Sequence, residues 1–192
     1  MSKQNSLILL YPEVAAPKIV EPPGYYVRTY ENQDFTTYKT MLRHEGWILN
    51  DHQFHDFFNK VVSNGLFFAI DKETNEIAAT AVALRNPTST HFSFLQGGEI
   101  GFVITKREHR RKGLGSYVTA LATSRLISTD SKSIRIVVND FRTAAIKTYL
   151  NLGFKPFLYT EDMEKRWEEV FHKLNRKLSI ENCMVALKNE CL

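Results

Sequence analysis

Cysteine is scarce: the 192 residues contain two, Cys183 and Cys191. A pair of late thiols makes no disulfide framework, so a reducing cytoplasm is the expected setting. Long apolar runs are missing too. Nothing approaches the ~20 residues of a membrane span. The early run "SLILLY" is shorter than a signal-peptide core and soon meets Pro12 and Glu13, so no secretion signal is expected. Internal repeats and low-complexity segments are absent. So is a metal-ligand constellation: His52 and His55, beside Asp51 and Asp56, supply an isolated His-x-x-His that reads as a solvated helix start. No Ser-His-Asp or Cys-His pairing stands in a nucleophile motif.

What remains is an ordinary globular composition, 43% apolar and 24% charged, long enough for one sizeable core and short for two. The expected division is an N-terminal arm over 1–24 and a single domain over 25–192. The net charge is +4, and its excess is local. Between Lys106 and Lys112 stand five of the 25 basic residues and one of the 21 acids, Glu108, leaving 20 against 20 elsewhere. A positive charge gathered in one loop predicts an anion site rather than a broad nucleic-acid surface.

The patterning predicts alternating elements. "YPEVAAPKIVEPPG" reads as an extended arm and "YYVRTY" (25–30) as the first regular strand. Helices are expected over 34–46 and 50–65, the latter packing Phe54, Phe57, Phe58 and Val61 and stopping at Asn64-Gly65. "LFFAID" and "EIAATAVAL" read as a hairpin, and "GEIGFVIT" as the next strand. There follow a helix from Leu114 to about Ile127, a strand in "SIRIVVN", a helix in "TAAIKTYLNLG", a strand in "FKPFLY", a long helix over 160–178 and a last strand in "CMVALK". This order implies an α/β fold, a mixed sheet with helices on both faces.

The basic loop follows a strand and opens a helix, so free backbone N–H groups and the positive helix end point to one place. Gly113 and Gly115 let an anion approach the backbone. Neither familiar phosphate loop matches: the nucleotide P-loop pattern is absent, and Gly113-Leu114-Gly115 lacks the third glycine of the dinucleotide fingerprint. A solvated basic loop with two turn glycines stays open on the loop alone.

Arg110-Arg111-Lys112-Gly113-Leu114-Gly115 fits Gln/Arg-x-x-Gly-x-Gly/Ala, which resembles the acetyl-coenzyme A signature of the GNAT superfamily of N-acetyltransferases. About 30 residues on, at βα-unit spacing, "AAIKTYLNLGFKP" is similar to the second signature of that superfamily. The resemblance is strong from Glu76 to Tyr159 and topological from Tyr25 to Asp71. It implies the GNAT fold, a twisted mixed sheet of about seven strands whose central parallel strands, "GEIGFVIT" and "SIRIVVN", splay to admit pantetheine. It implies acetyl-CoA as acetyl donor, with Val103, Ile104 and Thr105 pairing with pantetheine amides. The amides of Arg111, Lys112, Gly113, Leu114, Gly115 and Ser116 would hold the pyrophosphate, and Lys106, Arg107, Arg110, Arg111 and Lys112 would meet the phosphate charge.

The chemistry so implied is direct attack of an amine on a thioester. A lysine-like amine, pKa ~10.4, is protonated at neutral pH and needs a base or a water path to one. Tyr149 matches the superfamily's proton donor to the departing thiolate, against the alternative of a core aromatic on the face of Ala145 and Leu152. Glu99 stands at the offset of a glutamate base, against the alternative of a solvated strand start. Arg142 occupies the place of a frequent asparagine, with Asn139 nearby. It would reach a cofactor phosphate, bind an acidic acceptor, or cap the turn; a cofactor-side role is favoured. Trp47 and the 86–97 loop are expected around the acceptor; the apolar stripe of the 160–178 helix reads first as packing on its own sheet, with a border of the acceptor cleft or a homodimer interface as the alternative. The expected partners are acetyl-CoA and an amine, with no metal, nucleic acid or membrane. Acyl-CoA sensing without turnover is the competing function. Nucleic-acid binding through "KREHRRK" is a weaker one, since interleaved aromatics are lacking.

Overall fold

The computed structural model describes residues 6–85, 97–129 and 131–186. Its strands are β1 (Leu7–Tyr11), β2 (Tyr25–Thr29), β3 (Val61–Asp71), β4 (Ile77–Arg85), β5 (Gly98–Thr105), β6 (Ile134–Val138), β7 (Lys155–Leu158) and β8 (Met184–Val185). The α-helices are α1 (Phe35–His44), α2 (Asp51–Lys60), α3 (Leu114–Ile127), α4 (Thr143–Asn151) and α5 (Met163–Lys173). All eight strands join one sheet in the order β2-β3-β4-β5-β6-β1-β7-β8. The pairs β5–β6 and β7–β8 are parallel and the others antiparallel.

The first strand corrects the sequence reading, which began the sheet at Tyr25 and left "LILLY" in the arm. Leu7–Tyr11 lies inside the sheet, antiparallel to β6 on one side and β7 on the other, and all five residues are buried. Five consecutive apolar residues suit a strand covered on both faces. Pro12, which has no N–H to give a ladder, follows its last residue. The extended passage follows it and carries the chain from the middle of the sheet to its β2 edge.

A second boundary also moves. The sequence predicts helix through Asn64, but α2 ends at Lys60 and Val61 starts β3. Val61 and Val62 are β-branched and favour the extended backbone. Asn64 takes φ 53°, inside a register shift between Val61 and Leu66, so the Asn-Gly pair makes a bulge rather than a helix stop. Similarly α5 stops at Lys173, with Asn175 at φ 52° just beyond.

Among the described residues the two larger cores lie on opposite faces of the sheet, and a small third one gathers Ile8, Leu10 and Phe157. On one face α1 and α2 bury Tyr38, Leu42, Phe54 and Phe57 against Phe68, Val82, Leu84 and Ile104. On the other, α3 buries Leu114, Val118, Ala122 and Leu126 against Ala79, Ala81 and Ala83 of β4. Those small side chains let the helix axis come close to the strand. The buried hydroxyls of Thr119 and Thr123 donate to the carbonyls of Gly115 and Thr119, so this helix hides polar groups at little cost. Among the described residues no helix is long and apolar enough to cross a membrane.

Candidate active site

β5 and β6 pair through Gly98–Ile134, Glu99–Arg135 and Ile100–Ile136, and no further. Beyond that point β5 continues along β4 to Thr105, and β6 along β1 to Val138. A gap therefore opens between two strands that are each held from behind. The turning point is a β-bulge: Val82 pairs with Gly101 and Thr80 with Ile104, and Phe102 adopts φ 49°. A non-glycine residue there is strained by order 1–3 kcal/mol. Packing holds it: the Phe102 ring meets Trp47 at 5.2 Å and Phe57 at 4.9 Å.

The gap leads into a cleft of about 570 Å³ between the end of β5, the mouth of α3 and the first turn of α4. Val103, Ile104, Thr105, Arg110, Arg111, Gly113, Leu114, Gly115, Ser116, Arg142 and Tyr149 all line it, so the structure brings together nearly every residue the two sequence patterns singled out. Gly113 caps α3 at φ +82°, and its carbonyl accepts the first helical bond from Tyr117 N–H at 3.0 Å. The amides of Leu114, Gly115 and Ser116 precede that bond and have no acceptor within the helix. A Cβ at Gly115 would stand 3.5 Å from Thr105 Oγ1, inside the groove between strand and helix.

The basic loop divides its charges. Lys112 departs from the expected pattern: its ammonium donates to the Tyr25 hydroxyl at 3.0 Å and lies over that ring, outside the cleft lining. That bond to Tyr25 holds the lysine above its usual range. The same hydroxyl bonds Nδ1 of buried His109 at 2.9 Å, and Asp71 lies 3.6 Å from that nitrogen. This cluster ties the loop to β2 and β3. Lys106 pairs with Glu76 at 3.1 Å and Arg110 with Glu45 at 3.4 Å. Arg111 and Arg107 have no carboxylate partner among the described residues, and Arg111, at φ 64°, lines the cleft.

A recess of about 180 Å³ continues inward from the cleft, with Trp47, Phe102, Asn139, Arg142 and Tyr149 on its walls. Tyr149 is buried, and that burial pushes its phenol up to about 12, with Arg142 pulling the other way. Arg142 is the N-cap of α4 but makes no capping bond; its guanidinium lies over the Trp47 ring at 5.5 Å and near the Phe141 ring at 5.9 Å. Glu99 sits beside its cross-strand partner Arg135, whose Nε donates to the carboxylate at 2.8 Å. Arg135 is buried, and Glu99 lines neither cleft nor recess.

The model of the FR47-like protein family matches residues 70–167, about half of the chain, from the end of β3 into α5, and takes in the described lining of the cleft except Glu45. The chain belongs to the FR47-like family, within the GNAT superfamily. A search of curated proteins finds no match. Solved structures share the fold. The GCN5-related N-acetyltransferase from Sphaerobacter thermophilus aligns at TM-score 0.62 with 15% identity, covering 79% of this chain and 47% of that one. The GCN5-related N-acetyltransferase from Kribbella flavida gives TM-score 0.56 and 18% identity, covering 80% and 55%. The NatC complex bound to Gag peptide and CoA gives 0.56 and 13%, covering 67% and 82%. The chain thus spans about half the length of the first two.

This FR47-like protein supports its cleft with groups the sequence did not point out. Arg166 of α5 donates to both oxygens of Asp140, at 2.6 and 3.0 Å, which fixes the β6–α4 loop from outside. Arg135, an arginine in the apolar run "SIRIVVN", was legible as odd but not as the partner of Glu99. Ser6, at the head of β1, enters the recess because β1 lies beside β6. The helix-start histidines are surface groups: His52 pairs with Asp56 at 3.1 Å and His55 with Asn59. Among the described residues no group of three or more His, Cys, Asp or Glu could hold a metal. Of the expected acceptor loop, residues 86–96 lie outside the described residues, as do Leu187 and Lys188 of the last predicted strand.

Proposed function

We propose that this chain transfers an acetyl group from acetyl-CoA to a primary amine by direct attack on the thioester. One observation carries the reading: the sheet opens between β5 and β6 directly beside unpaired amides at the mouth of α3, with Tyr149 on the same cleft. The free edge of Val103–Thr105 offers backbone partners to the pantetheine amides. The amides up to Ser116, together with Arg111, face the pyrophosphate, where helix end and cation act in the same sense.

The amine nitrogen attacks the carbonyl carbon, the C–N bond forms and the C–S bond breaks. Sulfur leaves with the electron pair and takes the Tyr149 proton; the proton lost by the amine passes through water to the base, which returns it through solvent to the phenolate. A phenol held up near 12 stays protonated across the working range and is available as donor. Glu99 is the base in this reading, steadied by Arg135 and reached through water. Calorimetry with acetyl-CoA and a thiol-release assay over an amine panel test the proposal. Heat on binding and amine-dependent thiol release are expected; release no faster than hydrolysis with every acceptor overturns it in favour of sensing.

A further inference from the structure

Arginines in the half-buried zones of this protein have polar partners. Arg28 meets Asp34, Arg135 meets Glu99, Arg166 meets Asp140, and Arg125 donates to the Ser63 carbonyl. Arg142 is half-buried as well, yet among the described residues its side chain makes no hydrogen bond or ion pair: the guanidinium lies against the rings of Trp47 and Phe141, and its charge acts on the Tyr149 phenol. It is also the basic side chain that lines both the cleft and the inner recess. Stacked guanidinium keeps its hydrogen-bonding edge free, and that edge matches a carboxylate with two parallel bonds.

The recess sets the rest. Its volume of about 180 Å³ is below the ~300–1,000 Å³ of sites that take drug-sized ligands. Its polar side chains are Ser6, Asn139, Arg142 and Tyr149 on a wall of Trp47, Phe102 and aliphatic residues, with no Asp or Glu among the described residues that line it. The described walls offer no counter-charge for an ammonium. Apolar walls and a nearby cation both favour the neutral amine, the form that attacks.

We propose that the acceptor is a small amine bearing a carboxylate near the amino group, and that Arg142 selects it by pairing with that carboxylate. This rests on the acetyl-transfer reading and moves Arg142 from the cofactor side, where the sequence placed it, to the acceptor side. Polyamines and lysine side chains are the acceptors it disfavours.

The test uses the full chain and small amino acids, each matched with its amide and its decarboxylated amine. Thiol release gives kcat/KM. Quenching of Trp47 fluorescence with CoA bound gives affinity whether or not turnover occurs, the Trp47→Phe variant, in which Trp167 alone emits, supplying the background to subtract. The carboxylate form should exceed its amide at least about tenfold in both readouts. In Arg142→Gln that ratio should fall below about threefold and recover partly in Arg142→Lys, while the acetyl-CoA Kd stays within about twofold. Equal or better use of amides or of polyamines overturns the proposal. So does an Arg142→Gln variant that loses acetyl-CoA affinity but keeps the carboxylate preference. If acetyl-CoA does not bind at all, the transferase reading falls by itself, and quenching by the matched pairs without CoA still decides whether Arg142 reads a carboxylate.

Discussion

Phe102 holds a left-handed backbone at the place where the sheet opens, and two aromatic contacts keep it there. Glycine normally weakens a strand relative to alanine. Here φ is 49°, so the order should reverse. Both truncations lose the ring, and Phe102→Gly alone relieves the backbone, by about 1 kcal/mol. Urea unfolding should find Phe102→Gly at least as stable as Phe102→Ala; the opposite order would mean the bulge does not survive truncation. Tyr149 makes a different prediction, in kinetics and in pH. Tyr149→Phe should lower kcat by about 10²-fold with little change in acetyl-CoA affinity. Burial raises its phenol from 10 to about 12, so the folded state favours the neutral form. The stability this contributes is complete below pH 10 and is lost as pH climbs toward 12. Urea midpoints of parent and Tyr149→Phe should therefore draw together, or cross, between pH 10 and 11.5, while turnover shows no alkaline fall near pH 10 from an ionising tyrosine.

Among the elements, β1 shows what a sequence makes legible and what it hides. The strand–loop–helix unit around Gly113 and the Tyr149 helix could be read because glycine spacing and apolar period are local properties. Most strands and helices were readable for the same reason. The run Leu7–Tyr11 looks the same whether it is an arm or an interior strand, because its meaning depends on β6 and β7, over a hundred residues away. Partners such as Glu99–Arg135 and Asp140–Arg166 were hidden likewise, since charge pairing across strands leaves no periodic trace. Asn64-Gly65 misled for a physical reason: the pair that ends a helix also makes a bulge, and Val61-Val62 decides between them. The position of β1 can be tested inside one short segment. Leu9→Ala removes a fully buried side chain and should cost about 2–5 kcal/mol, while Val14→Ala, five residues on and 90% exposed, should change stability by less than about 0.5 kcal/mol. Equal, small effects would return the first eleven residues to the arm.

For the whole molecule, the net charge of +4 says less than how the loop divides it. Of its five cations, Lys106 and Arg110 have carboxylate partners and Lys112 is taken up by Tyr25. Arg107 and Arg111 have no carboxylate partner among the described residues, and of these two Arg111 faces the cleft. A polyanion such as acetyl-CoA should feel both a short-range contact with Arg111 and the field of the whole loop, and these separate by their salt dependence. Raising ionic strength from 50 to 500 mM should weaken binding by parent and variants alike, because screening acts on the field. Arg111→Gln should weaken binding about tenfold at every salt concentration, in line with a lost charge-assisted contact. Lys112→Gln should leave Kd within about twofold once screened, yet lower Tm by about 1–3 °C, as loss of an exposed anchoring contact does. If the two variants proved interchangeable at high salt, the loop would act as a diffuse positive surface. The distinction between a lysine that anchors the loop and an arginine that meets the ligand would then be lost.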